Sequence, residues 1–251
     1  MAGAVALPDH AARADPVSAA EAGRRLRTAY PAQIAAVDGG HIVWRDGTRM
    51  AIDDGKGEKS FNALLEDPDL ADIFAIPYPR GEPAPPTVNA DPGRARPDQF
   101  FDRMYGNCRK GGVEKNLVEV AWLPTRGVTK IKVTRINGVA EKLSAVSAEL
   151  DALPSSFDAY LQPIAGTYSC RVIAGTGRLS THGHGIAIDL ALRHADYWRW
   201  SKPDSAGRYL WRNEIPLEIV RIFEKHGFIW GGRWYHYDTM HFEYRPELLI
   251  D

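Results

Sequence analysis

Ser180-Thr181-His182-Gly183-His184-Gly185-Ile186-Ala187-Ile188-Asp189 sets two histidines and a carboxylate among glycines and small aliphatic residues. In an extended segment successive side chains alternate, so Asp189 points away from Ile186, Ile188 and Leu190, which can face a core. A carboxylate on the second face of an apolar strand needs a partner. His182 stands at an odd offset from Asp189, which would put it on the opposite face of an unbroken strand. Gly183 and Gly185 can supply a turn or bulge that brings it round. A plain His–Asp hydrogen bond satisfies the same pattern, so these two residues leave metal binding and structural pairing both open.

A third donor is available in Trp234-Tyr235-His236-Tyr237-Asp238-Thr239-Met240-His241-Phe242-Glu243-Tyr244. Phe242 and Tyr244 alternate with His241 and Glu243, the pattern of a half-buried strand with an imidazole and a carboxylate on its polar face. Asp238 shares the side of His241 only if the chain turns at Thr239-Met240. Two histidines and one carboxylate form a known catalytic zinc set with one position left for water, and a nearby carboxylate outside the set can act as general base.

Around these stretches the chain reads as α+β: a small antiparallel sheet flanked by helices, without a repeating βα unit. His41-Ile42-Val43-Trp44 and Arg49-Met50-Ala51-Ile52, joined through Asp46-Gly47, predict a hairpin. Seven prolines from Pro77 to Pro97 forbid ladders and helix interiors and predict an extended connection. A strand is expected over Val128–Ile136, closed by an Asn137-Gly138 turn. Val139, Leu143, Val146 and Leu150 then mark one helix face. A second helix is expected from about Pro216, placed in its first turn, to His226, with Gly227 ending it. The domain expectation is an N-terminal extension over residues 1–100, packed on a catalytic domain over residues 101–251.

Composition narrows the partners. With 44% hydrophobic and 25% charged residues the chain is an ordinary globular protein. The 31 basic residues are matched by 32 acidic ones, so no net basic field gathers nucleic acid or anionic lipid. A small-molecule or peptide partner is expected. Ala2–Leu7 is too short for a signal core or a membrane span, so no membrane span is expected, and a signal peptide is taken to have been removed upstream. Residues 1 to about 12 are expected to form a mobile tail. Cys108 and Cys170, the only cysteines, exclude a four-cysteine zinc module and leave one disulfide or two buried thiols, with an oxidised pair preferred.

Taken together, Ser180-x-His182-x-x-Gly185-x-Ala187-x-Asp189 and Asp238-x-x-His241-Phe242-Glu243 resemble the zinc D-alanyl-D-alanine peptidases of the VanX/VanY type. These are related to L-alanyl-D-glutamate endopeptidases and to Hedgehog-like domains. The resemblance covers residues from about 160 to 247. It implies a Hedgehog-like peptidase fold, a Zn2+ ion on His182, Asp189 and His241, and Asp238 as catalytic base. His236 and Glu243 compete locally for these roles, and His184 competes with His182. The resemblance also implies an arginine that binds substrate and steadies the oxyanion, with Arg171 the first candidate and Arg178 the second. Ser180 matches a substrate-contacting position.

The implied activity is hydrolysis of peptidoglycan stem peptides near a D-residue by a D,D- or L,D-carboxypeptidase. A peptidoglycan endopeptidase and a non-catalytic zinc-stabilised wall-binding module are the alternatives. The implied location is exported, periplasmic or wall-associated, which suits a Cys108–Cys170 bridge. Trp230, Trp234, Tyr235 and Tyr237 beside Gly231-Gly232 can wall a cleft or pack a core, while nothing in the sequence places Trp198, Trp200 or Trp211.

Overall fold

The computed structural model of the chain describes residues 17–127 and 129–250. The expected N-terminal tail, the apolar stretch Ala2–Leu7 and the strand start at Val128 lie outside them. Helix α1 (Ala19–Ala29) begins at Ser18, whose hydroxyl accepts the Glu21 N–H, and it buries Ala22, Gly23 and Leu26. Strands β1 (Ile34–Asp38), β2 (His41–Trp44) and β3 (Arg49–Ala51) follow as an antiparallel sheet in that order. The β2–β3 hairpin forms as expected, with Ile42 opposite Met50 and Gly47 at φ 83°. Helix α2 (Phe61–Glu66) leads into the proline-rich connection, which holds neither α-helix nor strand from Pro77 to Pro97.

Helix α3 (Asp98–Tyr105) is followed by β4 (Leu117–Trp122) and β5 (Thr129–Thr134), an antiparallel pair. Asn137 and Gly138 turn the chain at φ 55° and 73°. Helix α4 (Val139–Asp151) then buries Val139, Leu143, Val146 and Leu150, the stripe that the spacing predicts. A short helix α5 (Asp158–Leu161) precedes β6 (Ala187–Asp189). Helix α6 (Leu217–Lys225) buries Ile219, Val220 and Phe223, and Gly227 at φ 90° follows it. Pro216 is its N-cap and stands just before the first turn in which it was expected. Strands β7 (Phe228–Trp230) and β8 (His241–Tyr244) complete a sheet ordered β6-β8-β7.

The α+β class is as expected, but two details differ. Among the described residues there are three antiparallel sheets in place of one. Strand β8 is also not half-buried: it is the central strand of its sheet, and His241, Phe242, Glu243 and Tyr244 are all buried. Its polar face therefore meets protein, so the charges on it must be answered internally.

Residues 91–97 provide much of that answer. This end of the proline-rich connection lies against the β7–β8 region as a strap. Asp91 accepts the His236 N–H at 3.0 Å and bonds its Nδ1 at 2.7 Å. The Pro92 carbonyl accepts the Trp234 indole N–H at 2.7 Å, and the Gly93 carbonyl accepts from Arg245 at 2.5 Å. Gly93 has φ +81°, and a Cβ there would lie 2.7 Å from Ile229 and Leu248 side-chain carbons, so only glycine fits without strain. One continuous hydrophobic cluster contains Leu26, Trp44 and Phe100 together with Leu143, Phe223 and Phe242. The segments before and after residue 100 thus share a core.

Cys108 and Cys170 form a disulfide across 62 residues of sequence, the oxidised alternative of the two expected. It ties the stretch after α3 to the loop that enters the histidine motif, where the Ser169 N–H donates to the His182 carbonyl at 3.2 Å. No helix among the described residues is long and apolar enough to cross a membrane.

Two outcomes test this packing. Leu143→Ala, at a fully buried position, is expected to cost about 2–5 kcal/mol in denaturant unfolding. Asp91→Ala is expected to cost about 1–3 kcal/mol at neutral pH, because it strands the half-buried His236 donors. Burial raises the Asp91 pKa, but the His236 hydrogen bond and Arg94 outweigh it and hold the carboxyl below its usual value. A depressed native pKa stabilises fully above the unfolded value, about 3.9, and the gain is lost as pH falls through the native pKa. The gap between wild type and Asp91→Ala in chemical denaturation should therefore narrow below about pH 4.

Candidate metal centre and its cleft

The turn that the glycines allow does form. Thr181–His184 is a single 3-10 turn ended by Gly185 at φ 70°, and it reverses the chain so that His182 faces Asp189 at the end of β6. A Cβ at Gly183 would come within 2.9 Å of the Leu179 side chain and displace it, and one at Gly185 would meet Leu117 at 2.9 Å and the Thr134 backbone nitrogen at 3.1 Å on a backbone that favours glycine. Strand β8 pairs Asp189 with His241 in register, which brings in the second imidazole. The chain also turns at Thr239-Met240, with the His241 N–H bonded to the Asp238 carbonyl at 3.1 Å.

Three donor atoms meet here. His182 Nε2 lies 3.1 Å from Asp189 Oδ1, His241 Nδ1 lies 2.9 Å from the same oxygen, and the two nitrogens are 3.2 Å apart. A tetrahedral zinc ion with bonds of about 2.0–2.1 Å sets its ligand atoms about 3.3 Å from one another. The triangle is close to that size. The ring nitrogens away from it are also occupied: His182 Nδ1 donates to the Thr167 carbonyl at 2.5 Å, and His241 Nε2 donates to Glu243 Oε2 at 3.0 Å. With its outer nitrogen bonded as a donor, each imidazole in its neutral form would present a lone pair inside the triangle, the tautomer a metal ligand needs.

The electrostatics agree with a cation at this point. Burial disfavours charge on His241, yet Asp189 and Glu243 overcome it and push the ring's pKa up to about 10. Burial likewise opposes ionisation of Asp189, but the two imidazoles hold it far below the usual carboxylate range. A carboxylate between two imidazoles attracts either a proton or a metal ion, and metal binding displaces the proton.

Asp238 borders the same cleft. It is half-buried, its covered Oδ1 has no hydrogen-bond partner, and desolvation pushes its pKa up to about 6 against the pull of His241. An unpaired buried carboxylate oxygen is costly, which suits a group waiting for a water or a substrate proton. The cleft has a volume of about 290 Å³, and the donor triangle, Asp238, Ser180 and Arg171 all line it. Arg171 is exposed, and its carbonyl accepts the Ser180 N–H at 3.0 Å across a short hairpin, so the two residues sit side by side despite their separation in sequence.

Other candidates fall elsewhere. Arg178 pairs with Glu66 at 3.3 Å and lines a different depression, so it is not a cation of this cleft. His184 turns to the Gly106 carbonyl at 3.0 Å and lies outside the donor triangle, and His236 is held by Asp91. Glu243 supports His241 from behind and offers the triangle no oxygen. Of the tryptophans and tyrosines, Tyr197, Trp200 and Trp234 line the cleft, whereas Trp230 and Tyr237 are fully buried core. Gly231 and Gly232 allow the close packing, since a Cβ would lie 2.5 Å from the Asp238 carbonyl or 2.0 Å from the Trp230 ring.

Two site residues escape the sequence reading. Arg94 and Arg96, both on the strap, line the cleft. Arg94 lies over the Trp234 ring at 5.2 Å, pairs with Asp91 at 3.6 Å, and has a buried Nε without a partner. No local motif marks either residue, because the strap reaches the site only through the fold.

No curated protein and no solved structure matches the chain. Residues 174–244 match the family model described as D-alanyl-D-alanine carboxypeptidase. The matched span contains His182, Asp189, Asp238 and His241 and leaves out Arg94, Arg96 and Arg171. The segment that carries the donor triangle is thus similar to the D-alanyl-D-alanine carboxypeptidase family of peptidases.

Proposed function

We propose that the chain is a zinc-dependent peptidase that hydrolyses peptidoglycan stem peptides as a carboxypeptidase, D,D- or L,D-specific. The observation that carries this reading is the convergence of His182 Nε2, Asp189 Oδ1 and His241 Nδ1 beside the unpartnered Asp238 carboxylate. Zinc bound there supplies Lewis-acid activation of water and of the scissile carbonyl. Asp238 Oδ1 takes a proton from the attacking water and returns it to the departing amine. Arg171, exposed on the cleft wall, pairs with the substrate's terminal carboxylate, with the Ser180 hydroxyl beside it. Arg94, which lines the cleft, donates from its guanidinium to the oxygen that becomes negative as the carbonyl is attacked.

The described part of the N-terminal extension, through Arg94 and Arg96, shapes this cleft, and the part from about residue 101 carries a core of the Hedgehog-like peptidase type. The substrate places the protein outside the cytoplasm, in agreement with the Cys108–Cys170 bridge.

The test is digestion of purified muropeptides followed by mass spectrometry, with and without a chelator. Loss of one terminal D-alanine, abolished by chelator and restored by zinc, is expected. Separation of the stem into larger fragments would instead assign an endopeptidase. Zinc content without any cleavage would assign a wall-binding module. Asp238→Ala is expected to keep its zinc, measured by elemental analysis, while kcat falls about 10²–10⁴-fold.

A further inference from the structure

Glu243 is fully buried and lies behind the metal-facing edge of His241. Its Oε2 accepts from His241 Nε2 at 3.0 Å, from the Thr181 hydroxyl at 3.0 Å and from Arg96 Nη2 at 2.5 Å. Its Oε1 accepts from Arg96 Nε at 3.1 Å and from Arg245 Nη1 at 3.0 Å. Two guanidinium groups on one carboxylate keep it ionised, and an ionised carboxylate can only accept. The proton of a neutral His241 must then sit on Nε2, which leaves the Nδ1 lone pair for the metal.

The grip on Glu243 comes largely from outside the peptidase-like segment. Arg96 spans both carboxylate oxygens from the strap, whose path is fixed by Asp91, Pro92 and Gly93. Arg245 continues the chain of charges to Glu247 at 2.5 Å, and Glu247 accepts the Tyr30 hydroxyl at 2.5 Å at the end of α1. Of the groups that hold Glu243, Thr181 lies inside the matched span and Arg245 directly follows it, whereas Arg96 precedes it by a long stretch of sequence. A bare His–Glu pair would not need them.

We infer that Arg96 is a positioning residue for the metal centre: by clamping Glu243 in its bidentate geometry it fixes the orientation and tautomer of His241, so the strap is an integral part of the metal site. This rests on the zinc-peptidase reading. Arg96 also faces the cleft, but its bidentate engagement with Glu243 occupies the guanidinium edge it would need for a substrate carboxylate. Its effect is therefore on the metal and on the attack step.

The test is zinc affinity of the full chain, read by competition with a chromophoric chelator, in wild type, Arg96→Met and Arg96→Lys. Substitution of groups that orient a metal-ligating histidine weakens metal binding by about 10–100-fold, and that loss is expected for Arg96→Met. Arg96→Lys keeps a cation but cannot span both oxygens, and a loss of about tenfold is expected. The ring nitrogen shifts of His241 in zinc-loaded protein are expected to show a proton on Nε2 in wild type and disorder of that signal in Arg96→Lys. With zinc saturating, kcat should fall while KM stays near wild type. If Arg96→Met does not fold, Arg96→Lys decides. Wild-type zinc affinity and an unchanged His241 signal in a folded variant would overturn the inference, whereas absence of zinc binding by the wild type itself would overturn the peptidase reading.

Discussion

Three electronegative atoms meet at one buried point in this protein, and most of the surrounding structure exists to hold them there. His182, Asp189 and His241 come from a 3-10 turn, the end of β6 and the start of β8. Each must be taken from water before the cluster can form, at a cost of several kcal/mol per charged group. That cost is offset only if a positive charge is shared among them and if their outer atoms are bonded. The Thr167 carbonyl answers His182, and Glu243 answers His241. Glu243 brings a second buried charge, which Arg96 and Arg245 neutralise. One site therefore recruits a network that runs from the cleft to Tyr30 at the end of α1.

The rigid side of this arrangement is the sheet β6-β8-β7. Its central strand is buried on both faces, with Phe242 stacked on Phe223 of α6 at 3.9 Å on one side and the charges of His241 and Glu243 on the other. The apolar face supplies the packing that keeps β8 still. The polar face presents His241 and Glu243 two residues apart, so a shift of one residue in register would exchange them for core. The cleft lies on the polar side, and its cations come from two quarters: Arg171 from the loop before the motif, Arg94 from the strap. Arg94 stands close to Asp238, and it moderates the rise in pKa that burial gives that carboxylate.

Some of this was legible in the order of residues. The alternation of Ile186, Ile188 and Leu190 with Asp189 marks a strand, and paired glycines beside His182 mark a turn, because both depend on local geometry. The stripe on α4 and the hairpin of β2 and β3 are local in the same way. Helix α1 is not among the expected elements, although Ala22, Gly23 and Leu26 line one buried face of it. The half-buried reading of β8 failed because alternation reports only that two faces differ, and a polar face can be covered by another segment as well as by solvent.

The sequence by itself determined the identity and spacing of the donors: two histidines, an aspartate, and a further aspartate three positions before the second histidine, with glycines at the turn. Tertiary structure alone decided which nitrogen of each histidine faces the cluster, that Glu243 bonds His241 from behind it, and that Arg178 lines another part of the surface. It also brought Arg94 and Arg96 to the cleft. The physical reason is that tautomer, burial and charge pairing are properties of the space around a side chain. That space is filled here by the strap of residues 91–97, which no pattern around the motif encodes.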